Sequence, residues 1–287
     1  MKLTVCMITY NHENYISEAI ESVLNQHANF MVQLIIGEDC STDNTRTICE
    51  DFVKKYPDKI LLLPETTNIG MMKNFVRTFK KCDGDYIAFL EGDDYWTDNL
   101  KLQKQVNFLQ ANPDYSLCFH NTNMKMNRRN ERKEWILHSH MEKDTFTTED
   151  VLGPWFVPSC STVFTNYPDL VLPSWFYNCK YGDLPFMLLL SLKGKFKYLD
   201  EVMAVYRLHD TGLSAAHKNY DKIALMIYIY ESFNIHTNYK FQETIRGSIK
   251  YEIDRHIPKN EKVKNLTEEK PGILTRVYNK VRKSFAT

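Results

Sequence analysis

Three carboxylates fall within four residues at Glu91-Gly92-Asp93-Asp94, directly after the apolar run Tyr86–Leu90. Like charges that close repel, and burying them without a counter-charge is costly. A hard divalent cation, Mg²⁺ or Mn²⁺, removes that cost, and such ions typically use one or two carboxylates together with ligand phosphates. An exposed acidic turn is the other reading of the same residues. Thr9-Tyr10-Asn11 closes an earlier apolar run, Leu3–Ile8, and Glu38-Asp39 closes another, Leu34–Ile36. Ser41, Thr42 or Asp43 can cap the helix that follows, which leaves Asp39 over. Its carboxylate suits a nucleobase N–H or a ribose hydroxyl as donor. Asn68-Ile69-Gly70-Met71-Met72-Lys73 brings an amide and a cation to another helix start, where Lys73 either approaches a phosphate or faces solvent.

The elements that must carry these groups alternate in period. Leu3–Ile8, Leu34–Ile36, Ile60–Leu63 and Tyr86–Leu90 are short apolar runs that suit buried strands. Between them Tyr15–Leu24, Thr45–Val53 (stopped by Pro57) and Met71–Phe79 repeat at helical spacing. Strand and helix in alternation imply βαβ units and an α/β fold with a mainly parallel central sheet. In such a sheet ligands bind beyond the carboxyl ends of the strands, where the strand order reverses. All three polar clusters stand at strand carboxyl ends, so their convergence on one rim is the expectation.

Beyond Trp96 the pattern loosens. Leu100–Leu109 reads as a helix, Tyr115–His120 as a strand, and Met126–Lys143 as a polar surface excursion. Thr147-Thr148-Glu149-Asp150 looks like a capped helix start. Ser161–Phe164 is a further strand, Asp183–Leu192 a helix, and Phe196–Tyr206 a strand or hairpin. From about Ala216 strands vanish; Ile223–Phe233 and Phe241–Ile253 read as helices, and Ile273–Phe285 as a short basic amphipathic stretch. The organisation expected is residues 1–97 and 98–215 as two halves of one domain, then a helical extension over 216–287.

Thr9-Tyr10-Asn11, Glu38-Asp39-Cys40-Ser41-Thr42-Asp43-Asn44-Thr45, Asn68-Ile69-Gly70 and Glu91-Gly92-Asp93-Asp94, in this order and spacing, resemble the family 2 glycosyltransferases. The resemblance covers about residues 2–210 and is strongest up to Trp96. It implies the Rossmann-like GT-A fold and a nucleoside-diphosphate sugar as donor, with uridine the default base. It places the donor among Thr9, Tyr10, Asn11, Glu38, Asp39, Asn68, Gly70, Lys73 and Asp93, with Thr9 and Asp39 on the base. The family's Asp-x-Asp metal motif maps on Glu91, a departure at its first position, and on Asp93 and Asp94. Tyr181-Gly182-Asp183-Leu184-Pro185 resembles the acidic motif that opens the acceptor-side helix, which makes Asp183 the catalytic base; capping of the helix is its other reading. Tyr206-Arg207-Leu208-His209, with Ser214 downstream, resembles the late His motif that meets metal or diphosphate, which makes His209 a metal ligand. The implied reaction is transfer, with inversion, to an acceptor hydroxyl of a saccharide or lipid-linked saccharide in surface polysaccharide or glycan assembly.

Composition narrows the rivals. Lys plus Arg and Asp plus Glu are balanced at 36 each in 287 residues, so a nucleic-acid backbone is not the expected partner. Apolar residues at 43% and charged residues at 25% exclude wholesale disorder. Seven scattered cysteines without a C-x-x-C spacing suit reduced thiols in a cytoplasmic setting. Leu3–Ile8 is too short for a signal-peptide core, and no apolar run approaches the ~20 residues that span a bilayer. Around Val277, Val281 and Phe285 stand Arg276, Lys280, Arg282 and Lys283. Such a helix would either rest peripherally on an anionic membrane or pack on protein. A sugar nucleotidyltransferase would need a glycine-rich phosphate loop after strand one, yet no glycine precedes Gly37. A nucleotide-sugar or carbohydrate-binding module without catalysis is the non-enzymatic alternative.

Overall fold

The computed structural model describes residues 1–128, 131–210 and 219–256. The basic stretch Ile273–Phe285 and Ser214 lie outside the described residues. Two compact units emerge. The first comprises Met1–Thr147, Phe156–Leu172 and Leu189–Asp210; the second comprises Thr148–Trp155, Pro173–Leu188 and the chain after Asp210.

The first unit is a twisted mixed sheet. Strands β1 (Lys2–Thr9), β2 (Met31–Glu38), β3 (Ile60–Pro64) and β4 (Tyr86–Phe89) are joined by helices α1 (Ile16–Leu24), α2 (Thr45–Lys55) and α3 (Met71–Phe79). After β5 (Tyr95–Trp96) and α4 (Lys101–Ala111) come β6 (Tyr115–Arg128), β7 (Glu131–Ile136), β8 (Thr145–Phe146), β9 (Val163–Thr165) and β10 (Lys195–His209). The strand order is β3-β2-β1-β4-β9-β6-β10-β5, with β7 on β6 and β8 on β10. The long ladders β1–β2, β2–β3, β1–β4 and β6–β10 are parallel. The antiparallel ones, β4–β9, β6–β9, β5–β10 and β8–β10, are short, apart from the β6–β7 hairpin.

Sequence explains this layering. In β1 the side chains of Leu3, Val5 and Met7 join Ile16, Ala19, Ile20 and Val23 of α1, Cys49 of α2 and Leu102 and Val106 of α4 in one core. The opposite face of the sheet carries α3, whose Phe75 and Phe79 meet Phe89 edge-on at 5.3 and 6.4 Å. Apolar side chains on both faces are what a central parallel strand requires. The approach of α3 to β2 is close enough to demand glycine: a Cβ on Gly37 would stand 1.9 Å from Thr78 Oγ1 and 2.7 Å from Asn74 Oδ1. Gly37→Ala is therefore expected to destabilise the fold by about 1–3 kcal/mol, as overpacking does. Urea unfolding measures it, and an unchanged midpoint would contradict this packing.

The buried polar groups include a lysine. Lys101 is fully buried, with its Nζ 4.2 Å from the centre of the Trp96 ring and 2.8 Å from Gln105 Oε1. Desolvation pulls its pKa down to about 7.

Two segments are more definite than the sequence pattern makes them. Residues 126–143, read as a polar surface excursion, include a strand: β6 continues to Arg128 and pairs with β7, in register from Asn123↔Ile136 to Arg128↔Glu131. Every residue of β7 is exposed, so that strand has no buried face and leaves no alternation to read. The segment expected as a strand or hairpin over Phe196–Tyr206 is one strand, β10, running to His209. Its register slips between Leu199 and Val202, around Asp200 and Glu201, and bulges of that kind interrupt the sequence alternation.

The second unit is helical: α5 (Thr148–Val151), the start of α6 (Asp183–Ser191), α7 (Asn219–His236) and α8 (Gln242–His256). Ile223, Ala224 and Ile227 of α7 pack with Ile253 of α8, and Phe233 stacks on Phe241 at 5.8 Å. Among the described residues no helix is long and apolar enough to cross a membrane.

Candidate active site

β1 stands where the strand order turns, with β2 and β3 to one side and β4 to the other. Register then brings three carboxyl ends together, since Thr9 pairs with Glu38 and Cys6 with Phe89. The main chain continues these pairings past the strands: Asp39 N–H donates to Thr9 O at 3.1 Å, and Gly92 N–H to Ile8 O at 3.0 Å. A Cβ on Gly92 would meet Thr9 Oγ1 at 2.6 Å, so the acidic turn reaches β1 only because that residue lacks a side chain.

The loops after β1 and β2 are stitched to each other. Asn11 N–H donates to Ser41 Oγ (3.0 Å), and Asn11 Oδ1 accepts from Thr42 N–H (2.8 Å). His12 N–H donates to Thr45 Oγ1 (2.8 Å), and Glu13 N–H to Asp43 Oδ2 (3.1 Å). Asn11 and Cys40 both take left-handed backbone angles, φ 55° and 58°. Such conformations persist where the surroundings over-determine them, and here the stitching does so. The Ser41-Thr42-Asp43 run thus holds the neighbouring loop as well as opening α2.

The sequence-derived residues divide into two groups. Glu38 is buried and works as an anchor: Oε1 accepts from Ser41 N–H at 2.6 Å, and Oε2 pairs with Arg46. Asp39 accepts from the N–H groups of Ile69 (2.8 Å) and Gly70 (2.9 Å), while Asn68 Nδ2 donates to its main-chain oxygen at 3.0 Å. Gly70, at φ 86°, then opens α3. Asp39 therefore fixes the turn that carries Asn68 and Gly70, with carboxylate lone pairs to spare. Tyr10, Asn68 and Lys73 are exposed, and Thr9 is buried.

At the acidic turn the carboxylates have opposite surroundings. Asp93 Oδ2 lies 2.9 Å from His209 Nε2 and 3.9 Å from His12 Nε2. The ligand atoms of His12, Asp93 and His209 all fall within 4.8 Å of one another, and among the described residues this is the group able to hold a metal ion. Asp94, expected beside Asp93 as a second donor, is buried, and its Oδ1 accepts from Arg207 N–H at 2.7 Å. The guanidinium of Arg207 donates to Asp93 O at 2.6 Å and pairs with Glu18. It also lies over the rings of Tyr15 (5.1 Å) and Tyr95 (4.4 Å). Arg207 and His209 share β10, so one strand end clamps the turn and supplies an imidazole to it.

Electrostatics follow. Burial, then Asp93 and Glu91, push the Asp94 carboxyl well above the usual carboxylate range, with Arg207 opposing. Burial acts in the same sense on Asp93, but His12 and His209 outweigh it and hold Asp93 below its ordinary value. Burial lowers His12, aided by His209 and opposed by Asp93 and Asp43. One carboxyl of the pair is thus kept ionised and the other is held toward its neutral form.

Asp183 belongs to the second unit, in the first turn of α6. It is half-buried, and desolvation raises its pKa against the lowering effect of the Leu184 N–H.

His12 is absent from the sequence-derived set. It lies three residues beyond Thr9, and its relevance depends on β10 returning to the rim of β1, which no local pattern announces.

A family model described as Glycosyl transferase family 2 matches residues 4–168. An uncharacterized protein of Mycobacterium bovis is 32% identical over 218 residues, covering 74% of this chain and 60% of its own. The chain thus spans about 60% of the length of that curated relative. Among solved structures, S. aureus TarS 1–349 in complex with UDP-GlcNAc aligns with a TM-score of 0.59 at 19% identity, covering 99% of this chain and 89% of that one. The mannosyltransferase PcManGT from Pyrobaculum calidifontis, in complex with GDP-Man and Mn²⁺, aligns with a TM-score of 0.57 at 12% identity, covering 98% and 84%.

Proposed function

The chain belongs to glycosyl transferase family 2, and from that premise we propose that it moves a sugar from a nucleoside-diphosphate donor, uridine-linked by default, to an acceptor hydroxyl. The transfer inverts the anomeric centre and serves the assembly of a surface polysaccharide or related glycan. One observation carries the reading: three strand ends meet where the strand order turns, and there His12, Asp93 and His209 set three metal-ligating atoms within 4.8 Å of one another. TarS bound to UDP-GlcNAc and PcManGT bound to GDP-Man and Mn²⁺ share the fold, which supports a nucleotide-sugar donor and a divalent cation here.

In this reading Thr9 and Asp39 receive the base and ribose, beside Tyr10, Asn11, Asn68 and Gly70. Lys73, exposed on α3, faces the donor phosphates. Asp93 and His209 hold the cation, Mn²⁺ or Mg²⁺, and Asp94 with Arg207 keeps the turn in place. A bound divalent ion supplies Lewis-acid stabilisation of the negative charge that gathers on the leaving diphosphate. Asp183 removes the acceptor proton as the new sugar–oxygen bond forms. The electron pair of the breaking sugar–phosphate bond leaves with the diphosphate, and attack from the opposite face inverts the carbon.

A thermal-shift screen of UDP, GDP and dTDP, with Mn²⁺ or with chelator, tests the donor site. Ligand at one hundred times its Kd stabilises by about 2.7 kcal/mol. For a chain of this size roughly 2–4 °C accompanies each kcal/mol, so a rise of several degrees is expected with one diphosphate plus Mn²⁺. An equal rise in chelator would remove the cation from the reading, and no rise with any diphosphate would remove the donor site.

A further inference from the structure

Resting on that reading of the strand-end rim, we infer that His12 is a third protein ligand of the cation, and that the resulting two-imidazole, one-carboxylate set selects a first-row transition ion such as Mn²⁺ over Mg²⁺.

His12 is held as a ligand would be. Its Nδ1 lies 3.2 Å from Thr9 Oγ1, and its own N–H is tied to Thr45 Oγ1 at 2.8 Å. Ligating histidines commonly engage their other ring nitrogen in this way, which fixes both tautomer and ring direction. With Nδ1–H given to Thr9, Nε2 presents a lone pair toward Asp93 Oδ2, 3.9 Å away. In that tautomer both atoms are electron-rich, as metal ligands are. The separation is also too long for a hydrogen bond, so His12 does not share a proton with Asp93. His209 approaches the same oxygen at 2.9 Å from another direction, its ring 6.2 Å from that of His12 and almost perpendicular to it, at 87°. Three donors from three separate chain segments therefore gather within 4.8 Å of one another.

The donor chemistry decides the ion. Mg²⁺ demands oxygen ligands and dehydrates reluctantly. Imidazole nitrogen favours the first-row transition metals, with affinity rising from Mn²⁺ toward Cu²⁺. The carboxylate that would restore an oxygen-rich site, Asp94, has its Oδ1 engaged by the Arg207 main chain. Asp93 is then the one acidic ligand in the group.

The test is metal binding by the whole chain, read by calorimetry and by pulsed EPR of bound Mn²⁺, alone and with UDP. Wild type is expected to bind Mn²⁺ at least about tenfold more tightly than Mg²⁺ and to show nitrogen couplings from two imidazoles. His12→Ala and the better-matched His12→Gln should each lose about tenfold in Mn²⁺ affinity and show one imidazole, while Mg²⁺ affinity barely changes. His209→Ala should lose the other. Two imidazoles in both His12 variants, equal affinity for the two ions, or no bound Mn²⁺ would overturn the inference. UDP, GDP and dTDP titrated with Mg²⁺ alone keep the two readings apart. Binding there as tight as with Mn²⁺ sinks the His12 assignment and leaves the donor site standing. Absence of binding with either ion sinks the donor site, and the EPR result then decides His12 by itself.

Discussion

Asp93→Asn is expected to lower kcat/KM by roughly 10²–10³-fold, the several kcal/mol that Lewis-acid stabilisation of a leaving group supplies, and to abolish cation-dependent nucleoside-diphosphate binding. Asparagine keeps the size of the side chain and an oxygen that can still accept from His209 Nε2, now 2.9 Å from the carboxylate. The main-chain oxygen of Asp93 still accepts from Arg207, so the turn itself stays anchored. What disappears is the one ionised carboxylate among the three convergent ligands. A second consequence is measurable. Asp93 is among the groups that push Asp94 well above its ordinary value, so removing that charge should bring the Asp94 carboxyl down, as carboxyl NMR against pH would show. Full turnover by the variant, or undiminished Mn²⁺-dependent UDP binding in calorimetry, would contradict the role given to Asp93.

How much of this was legible in the sequence depends on how local each feature is. The first four strands and three helices follow from apolar runs and helical spacing, and α3 falls on the expected Met71–Phe79. The convergence of Thr9, Asp39 and Asp93 was legible too, because a parallel sheet forces consecutive strand ends onto one rim. The partners of these groups were not. Asp39 accepts from the Ile69 and Gly70 N–H groups, and Glu38 engages Arg46 and Ser41. Neither follows from residue type, since a carboxylate at a strand end serves equally well as an anchor or as a ligand. The exposed β7 ribbon escaped because a strand buried on neither face leaves no period. The grip of Arg207 on Asp94 escaped because it arises only through the long parallel pairing of β10 with β6, and His12 escaped because nothing in its residue type sets it apart from any other loop histidine.

Long-range pairing also ties the parts of the site to one another. Arg207 links α1, through Glu18, to the acidic turn, through Asp93 O and Asp94 Oδ1. The Asn11–Glu13 loop is bound to residues 41–45 by hydrogen bonds from seven donors and to the acidic turn through His12. A first ligand arriving at this rim meets groups already held by their neighbours, which limits the ordering cost of binding.

The last expected result concerns the second unit. Asp183→Asn should lower kcat by about 10²–10⁴-fold, the range that general-base catalysis contributes, while Mn²⁺-dependent UDP affinity stays within about threefold of wild type. The split is the diagnostic, because a base acts on the acceptor proton and not on the donor. Wild type should also carry a pH signature. A base works only when ionised, and desolvation raises the Asp183 carboxyl above the ordinary carboxylate range. Its active form is therefore present above the raised pKa and is lost as pH falls through it. The acid limb of kcat should accordingly lie at higher pH than an exposed aspartate would give, and it should vanish in the residual activity of Asp183→Asn. Asp183→Glu, which retains the carboxylate at a longer reach, should recover part of the rate and restore the limb. An unaltered kcat in Asp183→Asn, or an acid limb that persists in it, would assign the proton to another group and leave Asp183 with only its place in the first turn of α6.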